Sequence, residues 1–164
     1  MSRLRLLTGC LLSLYVFLLV GCQTTTGHYL GAEAESGPVV PFAQADKTQT
    51  WQDLYLVIDS HFEQQQQGGR LTGVMRYADH VQMMYVRAGR LTLRVFLLDT
   101  DNRVVAYQTV SGLFPGSTVH TSHPFAVSFA DIKGAVAYTF GYEATFIDDE
   151  GMAFQVWNQP RTSR

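Results

Sequence analysis

Cysteine is almost absent from this chain of 164 residues, and the two that occur, Cys10 and Cys22, both lie near its N-terminal end. From Gln23 onward there is no thiol, which excludes disulfides, thiolate nucleophiles and cysteine metal ligands from that part of the chain. A domain built from these residues must therefore be stabilised by packing.

Charge is also scarce, since charged residues make up only 16% of the sequence and no run of lysine or arginine occurs. Without Arg3 and Arg5, which stand at the N-terminal end, 10 basic residues face 14 acidic ones, a formal charge of −4. Nucleic-acid binding needs a basic surface that neutralises phosphates. The composition argues against a nucleic-acid partner and against electrostatic binding to membranes.

The familiar catalytic motifs are missing too. There is no Gly-x-Ser-x-Gly elbow and no His-Glu-x-x-His pair, and the thiols are confined to the N-terminal end. Separated carboxylates such as Glu63 and Glu143 have the chemistry to flank a sugar bond, but nothing in the sequence brings them together. We therefore predict that the chain is not an enzyme, and we expect no cofactor.

What the sequence does have is a distinctive beginning. Arg3 and Arg5 precede an apolar run from Leu6 to Val20, and Leu19-Val20-Gly21-Cys22 closes it. This order of parts is typical of a secretory signal. The closing tetrapeptide resembles the lipobox of bacterial lipoproteins. That resemblance implies a signal peptide over residues 1–21 and a lipid on the sulfur of Cys22, with the acyl chains holding the mature protein on a membrane.

A transmembrane helix is the alternative interpretation of this run. It normally needs about 20 uninterrupted apolar residues followed by a charged stop, whereas here Thr8, Gly9 and Ser13 interrupt the run and uncharged residues follow it. In lipoproteins of Gram-negative bacteria an aspartate after the cysteine signals retention in the inner membrane. Gln23 stands there instead, so for a Gram-negative source the resemblance implies the periplasmic face of the outer membrane.

The segment from Cys22 to Thr50 is poor in apolar residues and rich in Thr, Gly, Ala, Glu and Gln. Such a composition buries too little surface to offset the entropy of ordering. We predict that residues 22–50 hold the lipidated cysteine and a flexible tether. The alternative for residues 39–42 is a short edge strand or a docking contact.

Residues 51–158 change character and alternate Val, Leu, Phe and Tyr with polar residues between turn signals. The pattern predicts an all-β domain, an antiparallel immunoglobulin-like β-sandwich of seven or eight strands, with a small β-barrel as the alternative. Residues 159–164 form a polar tail. The segment 81–86 fits either a strand or a short helical turn. The other predicted strands are 54–62, 71–77, 91–98, 104–110, 125–129, 134–147 and 152–157.

One stretch of this domain carries a family resemblance. Val95-Phe96-Leu97-Leu98-Asp99 is followed by a polar turn and Val104-Val105, and Pro115-Gly116-Ser117 then precedes Phe125. These residues resemble the FxLYD-type immunoglobulin-like domains of bacterial lipoproteins and cell-surface proteins, with Leu98 in place of the tyrosine. The resemblance implies a sandwich that serves as an adhesion or interaction module.

The strongest candidate for a partner surface is the segment between the second and third predicted strands. Interfaces are enriched in tyrosine, methionine and arginine, and an exposed strand edge pairs readily with a guest strand. We predict that this segment captures another cell-envelope protein, as yet unidentified, through a strand edge at 81–86. The alternative for the apolar side chains of this segment is burial in the core. The candidate residues are Val81, Met83, Met84, Tyr85 and Arg87.

A small-ligand or metal-binding module is the alternative function. His120 and His123 stand three residues apart, and zinc or copper would need a third ligand such as His80. Acidic residues at 99–101 and 148–150 are possible calcium ligands, although hairpin turns explain them equally well.

Overall fold

Two antiparallel β-sheets packed face to face make up the computed structural model, which describes residues 28–34, 37–44, 47–66, 68–110 and 116–161. A 3₁₀ turn, Phe42–Gln44, and a single-turn helix α1, Asp79–Met84, accompany the strands of these residues. The strands are β1 (Val40–Pro41), β2 (Gln49–Gln52), β3 (Leu56–Gln64), β4 (Gly69–Tyr77), β5 (Arg87–Leu98), β6 (Val104–Thr109), β7 (His123–Phe129), β8 (Ala137–Ile147) and β9 (Ala153–Asn158).

The first sheet has the strand order β2-β3-β4-β7, and the second has the order β6-β5-β8. On the far edge of β8, β1 pairs with its first residues and β9 with its last. Strands β3 to β9 thus take the places of A, B, C, C′, E, F and G of an immunoglobulin-like domain, in which B pairs with E and C with F. Neither sheet closes on itself, so the predicted sandwich is confirmed and the barrel alternative is not.

The core lies between the two sheets and follows the period-2 alternation of the strands. On β5 the side chains of Leu91, Leu93, Val95 and Leu97 all point inward and are buried, as the sequence predicts. The facing side chains of β3, β4, β7 and β8 complete the same cluster. Burial of this apolar surface is the main stabilising term available to a domain without disulfides.

All seven predicted strands are present, but the segment 81–86 is not a strand. Gln82 donates its backbone N–H to Ala78 and Tyr85 donates to Val81, which are helical bonds, and Val81 is turned into the core. A strand would have needed a partner for these backbone groups along its whole length. The prediction of a strand edge at this place is therefore wrong.

The stretch predicted as a tether is also different where the structure describes it. Residues 28–34, which we call the N-terminal strap, lie across the outer face of the second sheet. Tyr29 and Ala32 are buried there against Phe96, Leu98 and Val104 in a second apolar cluster. Strap and sheet are joined by backbone hydrogen bonds, for example from Gly31 N–H to the Val104 carbonyl at 2.8 Å.

Further along the same stretch, Val40 of β1 is buried as well. Residues 39–42 therefore match the alternative of a short edge strand. The tether was overestimated because few apolar residues suffice when they meet an apolar sheet face. The predicted signal peptide, residues 1–21, and Cys22 lie outside the described residues. Among the residues described, none belongs to a helix long and apolar enough to cross a membrane.

Candidate interaction surface

Helix α1 closes one end of the sandwich and sets the position of the predicted partner surface. Its six residues are held by Val81, which is buried, and by Gln82, whose amide donates to the Tyr77 carbonyl at 2.7 Å. This arrangement leaves Met83 and Met84 pointing outward, with 86% and 61% of their surface exposed. The two methionines therefore form an accessible apolar pair on a fixed turn.

Tyr85, by contrast, belongs partly to the core. Its ring stacks on Phe146 with centroids 5.3 Å apart and meets Phe154 edge-on at 5.5 Å. The next residue, Val86, donates its N–H to the Ile147 carbonyl at 2.9 Å and so extends the β5–β8 pairing. The tyrosine thus connects α1 to the β8–β9 hairpin.

This contact links the exposed apolar side chains of α1 to those of the β8–β9 hairpin. We call them together the end patch: Met83, Met84, Val86, Met152 and Phe154, with Tyr85 in contact with Phe154. Ten large apolar side chains are exposed in the described part of the chain, and five of them belong to the end patch. Exposed apolar groups collected in one place mark interaction sites more reliably than scattered ones. The sequence places Val86 in the predicted segment 81–86 and predicts the hairpin that carries Met152 and Phe154, but it does not show that this hairpin folds against α1.

A groove of about 430 Å³ borders the end patch. It lies between α1, the loop at 116–120 and the tip of the β8–β9 hairpin at Asp149. His120 lines it, with its Nδ1 3.2 Å from the side-chain oxygen of Gln82. Arg87 lies next to this loop: it pairs with Ile147 on one side and forms a bridge to Thr118 on the other. The groove therefore joins the predicted partner surface to one of the two candidate metal ligands.

The second histidine has a different environment. His123 is buried at the start of β7, where its ring meets Tyr77 edge-on and its Nε2 lies 3.3 Å from the Ser117 hydroxyl. Burial lowers the pKa of His123. No three His, Cys, Asp or Glu side chains come together as metal ligands in the described residues. A metal on His120 and His123 would therefore lack a third ligand from this part of the protein.

The acidic turns have structural partners of their own. One carboxylate oxygen of Asp99 accepts backbone N–H groups from Asp101 and Arg103, both at 2.9 Å. Asp148 accepts the N–H of Met152 at 2.7 Å in the same manner. These bonds define the β5–β6 and β8–β9 hairpins, so turn formation accounts for both acidic clusters.

A second concave site lies on the outer face of the second sheet. It is a cleft of about 290 Å³ lined by side chains of β5, β8 and β9, among them Arg90, Glu143, Trp157 and Gln159. Trp157 is 73% exposed, whereas Trp51 is fully buried. We call this the Trp157 cleft. The alternation of β9 places Trp157 on the face away from the core. The cleft itself could not be predicted from the sequence, because it forms only where β5, β8 and β9 lie side by side.

One wall of the Trp157 cleft is a closed set of polar contacts. The Gln159 amide donates to Glu143, and Arg94 donates to the same carboxylate oxygen at 3.3 Å. Tyr29 of the N-terminal strap donates its hydroxyl hydrogen to Gln159. The Arg94 guanidinium lies over the Tyr29 ring, 5.5 Å from the ring centre. The hydrogen bond from Gln159, followed by the charge of Arg94, lowers the pKa of Glu143. Glu143 is thus held ionised, with Arg94 beside it as its counter-charge.

Comparison of the chain with protein-family models, with curated proteins and with solved structures finds no match.

Proposed function

We propose that the chain is a lipoprotein anchored through Cys22 at the periplasmic face of the outer membrane, and that it acts as a non-enzymatic adaptor for another cell-envelope protein. The proposal of the anchor rests on the N-terminal sequence, and the proposal of the partner rests on the end patch. The partner surface is revised from a strand edge to the outward face of α1 together with the β8–β9 hairpin.

The composition of the end patch supports a protein partner. Methionine side chains are unbranched and polarisable, so they adapt to the shape of what they contact. In the end patch they surround Tyr85 and Phe154, and aromatic residues are the usual anchors of protein interfaces. The core of a protein interface is depleted in charge, and the exposed side chains of the end patch are all apolar.

The site-specific test is photo-crosslinking in living cells, with a crosslinking amino acid at position 84 and, as a control, at Val136. Val136 is also exposed and apolar but lies just before Ala137, at the end of β8 opposite the β8–β9 hairpin. We expect one envelope protein to crosslink from position 84 and not from position 136. The purified partner should then bind the chain, and Met83→Glu with Met84→Glu should weaken that binding at least about a hundredfold, since hot-spot residues contribute about 2 kcal/mol or more each.

Tyr85 is unsuited to this test because it stacks on Phe146 and a charge there would disturb the core. Met83 and Met84 are exposed, so their variants should keep the unfolding temperature of the parent. Equal crosslinking from both positions, or unchanged affinity in the double variant, would refute the end patch as the partner surface. The anchor is tested separately: Cys22→Ala should release the protein from membranes and abolish incorporation of labelled palmitate.

A further inference from the structure

The Trp157 cleft lies on the opposite face of β9 from Phe154, so it is a surface distinct from the end patch. Trp157 pairs with Glu143 and Gln155 pairs with Thr145, which in turn stands opposite Arg90 of β5. All of these side chains project from the outer face. With strands about 4.8 Å apart and a rise of about 3.3 Å per residue, the backbone positions of Arg90 and Trp157 are separated by roughly 12 Å.

Two groups in the cleft make no close polar contact among the described residues: the Arg90 guanidinium forms no ion pair there, and the Trp157 indole N–H forms no hydrogen bond. The charge of Arg90 acts on Glu143 only from a greater distance, where it helps to lower the pKa of that carboxyl. Glu143 is already engaged by Arg94 and Gln159, although its side chain is still 47% exposed. The cleft thus offers a ligand the Arg90 guanidinium, one flat apolar face and several neutral polar groups, beside one carboxylate that Arg94 already pairs.

We propose that the Trp157 cleft binds an oligosaccharide that carries a carboxylate group. A sugar ring has a face of C–H bonds, which the negative face of an indole attracts, and a rim of hydroxyls, which the side chains of Thr145 and Gln155 can bind as donors and acceptors. The Arg90 guanidinium matches a carboxylate in shape and charge. The cleft is at the small end of the range for ligand sites, which suits one or two sugar units.

The surroundings of Trp157 favour a sugar over a protein segment. A tryptophan that anchors a protein interface is normally enclosed by contacts that exclude water. Here the neighbouring side chains are charged or polar and the cleft is open, as a hydrated ligand requires. A nucleic-acid strand would also stack on the indole, but it carries a phosphate at every nucleotide, and Arg90 is the one basic residue that lines the cleft.

The two tryptophans make the test direct, because Trp51 is buried and Trp157 is exposed, so a ligand in the cleft changes the emission of Trp157 alone. The full mature chain with Cys22→Ser is titrated with three acidic probes: a galacturonate trimer, a hyaluronan tetrasaccharide and a glycan fragment containing N-acetylmuramate. The methyl ester of each probe serves as its neutral counterpart. We expect saturable binding of at least one acid with a blue shift of the emission, and about tenfold weaker binding of its ester.

Variants assign the contacts. By calorimetry Trp157→Ala should lose binding of both forms, and Arg90→Gln should remove the preference for the acid while keeping affinity for the ester. Met84→Glu, on the end patch, should bind the sugar as the parent does, which separates this proposal from the adaptor function. Absence of saturable binding for all three acids at millimolar concentration, equal affinity for acid and ester, or undiminished binding by Trp157→Ala would each overturn the proposal.

Discussion

Replacing Tyr29 by alanine tests whether the N-terminal strap belongs to the folded domain. The Tyr29 ring meets Phe96 and Tyr107 edge-on, each with centroids 5.2 Å apart. Such pairs contribute about 1 kcal/mol each beyond their buried area. The hydroxyl donates to Gln159, and a hydrogen bond of this kind adds about 1 kcal/mol. We expect Tyr29→Ala to lower the free energy of unfolding by about 3 kcal/mol, at the low end for a large aromatic residue.

Urea denaturation of the mature chain, followed by the emission of buried Trp51, measures this loss. With a slope of about 2 kcal/mol per molar urea, the midpoint should fall by about 1.5 M. Tyr29→Phe removes only the hydroxyl and should cost about 1 kcal/mol. Leu30→Ala is the matched control: Leu30 is the next residue but half exposed, so its removal should change stability by less than about 0.5 kcal/mol.

The result that would refute this reasoning is a loss below about 1 kcal/mol in Tyr29→Ala, no larger than in Tyr29→Phe. The strap would then detach without unfolding the sandwich, as local segments with few contacts do. The interpretation of residues 28–34 as part of a flexible tether would in that case be restored.

Two further predictions concern the core. Gly73→Ala should lower the free energy of unfolding, measured by urea denaturation, by about 1–3 kcal/mol. The reason is that a Cβ there would lie 2.6 Å from the Asp59 carbonyl oxygen and 2.8 Å from the Phe125 ring. Gly89→Ala is the control and should cost less, because its Cβ comes closest to the movable end of the Ile147 side chain; equal losses in the two variants would contradict the argument. Stability should also fall as the pH rises above the ordinary tyrosine pKa of 10.0. Burial raises the pKa of several tyrosines in the folded state, so above that pH the unfolded chain ionises first and is favoured. The contribution of these tyrosines to the free energy of unfolding is therefore complete only below pH 10.0. The urea midpoint measured from about pH 8 to about pH 11 checks this, and a flat profile would be inconsistent with it. These tyrosines are Tyr29, Tyr77, Tyr138 and Tyr142.

The strands were predictable because each carries its own periodic signal. In β5 the alternation of Leu91, Leu93, Val95 and Leu97 fixes the inward face without knowledge of any neighbour. The turn after β5 was equally readable, since Asp99 accepts the backbone bonds expected of an Asx turn. Local patterns of this kind are sufficient for the sandwich class, and the pairing order then follows from the hairpins.

Helix α1 was ambiguous for a physical reason. A single turn offers only one inward position, Val81, and one such residue fits a helix and a strand equally well. The chain turns helical here because β4 ends at Tyr77 and the next residues need backbone partners that no neighbouring strand supplies. In consequence the sequence left a core and a surface position open for Met83, Met84 and Tyr85, and the structure exposes the two methionines and half-buries the tyrosine.

The position of the N-terminal strap could not be predicted from the sequence, although the sequence does show the apolar face of β5 that the strap covers. Phe96 and Leu98 project from the outer face of β5, so they are either covered by another segment of the chain or exposed to solvent. The cover comes from Tyr29 and Ala32, far away in sequence and surrounded by residues of low hydropathy. Contacts between distant segments of this kind leave no periodic pattern in either one.

The docked strap changes what a lipid on Cys22 would do. With residues 22–50 as a flexible chain, the expected reach of the domain is about 25–30 Å from the anchor. With the strap docked from His28, only six peptide steps separate Cys22 from the folded domain, and their fully extended length is about 20 Å. Tyr29 also bonds to Gln159, which lines the Trp157 cleft. If Cys22 is lipidated as proposed, the cleft is therefore held close to the bilayer. Because Phe154 and Trp157 lie on opposite faces of the same strand, a partner on the end patch and a saccharide in the cleft can then be bound together at the membrane surface.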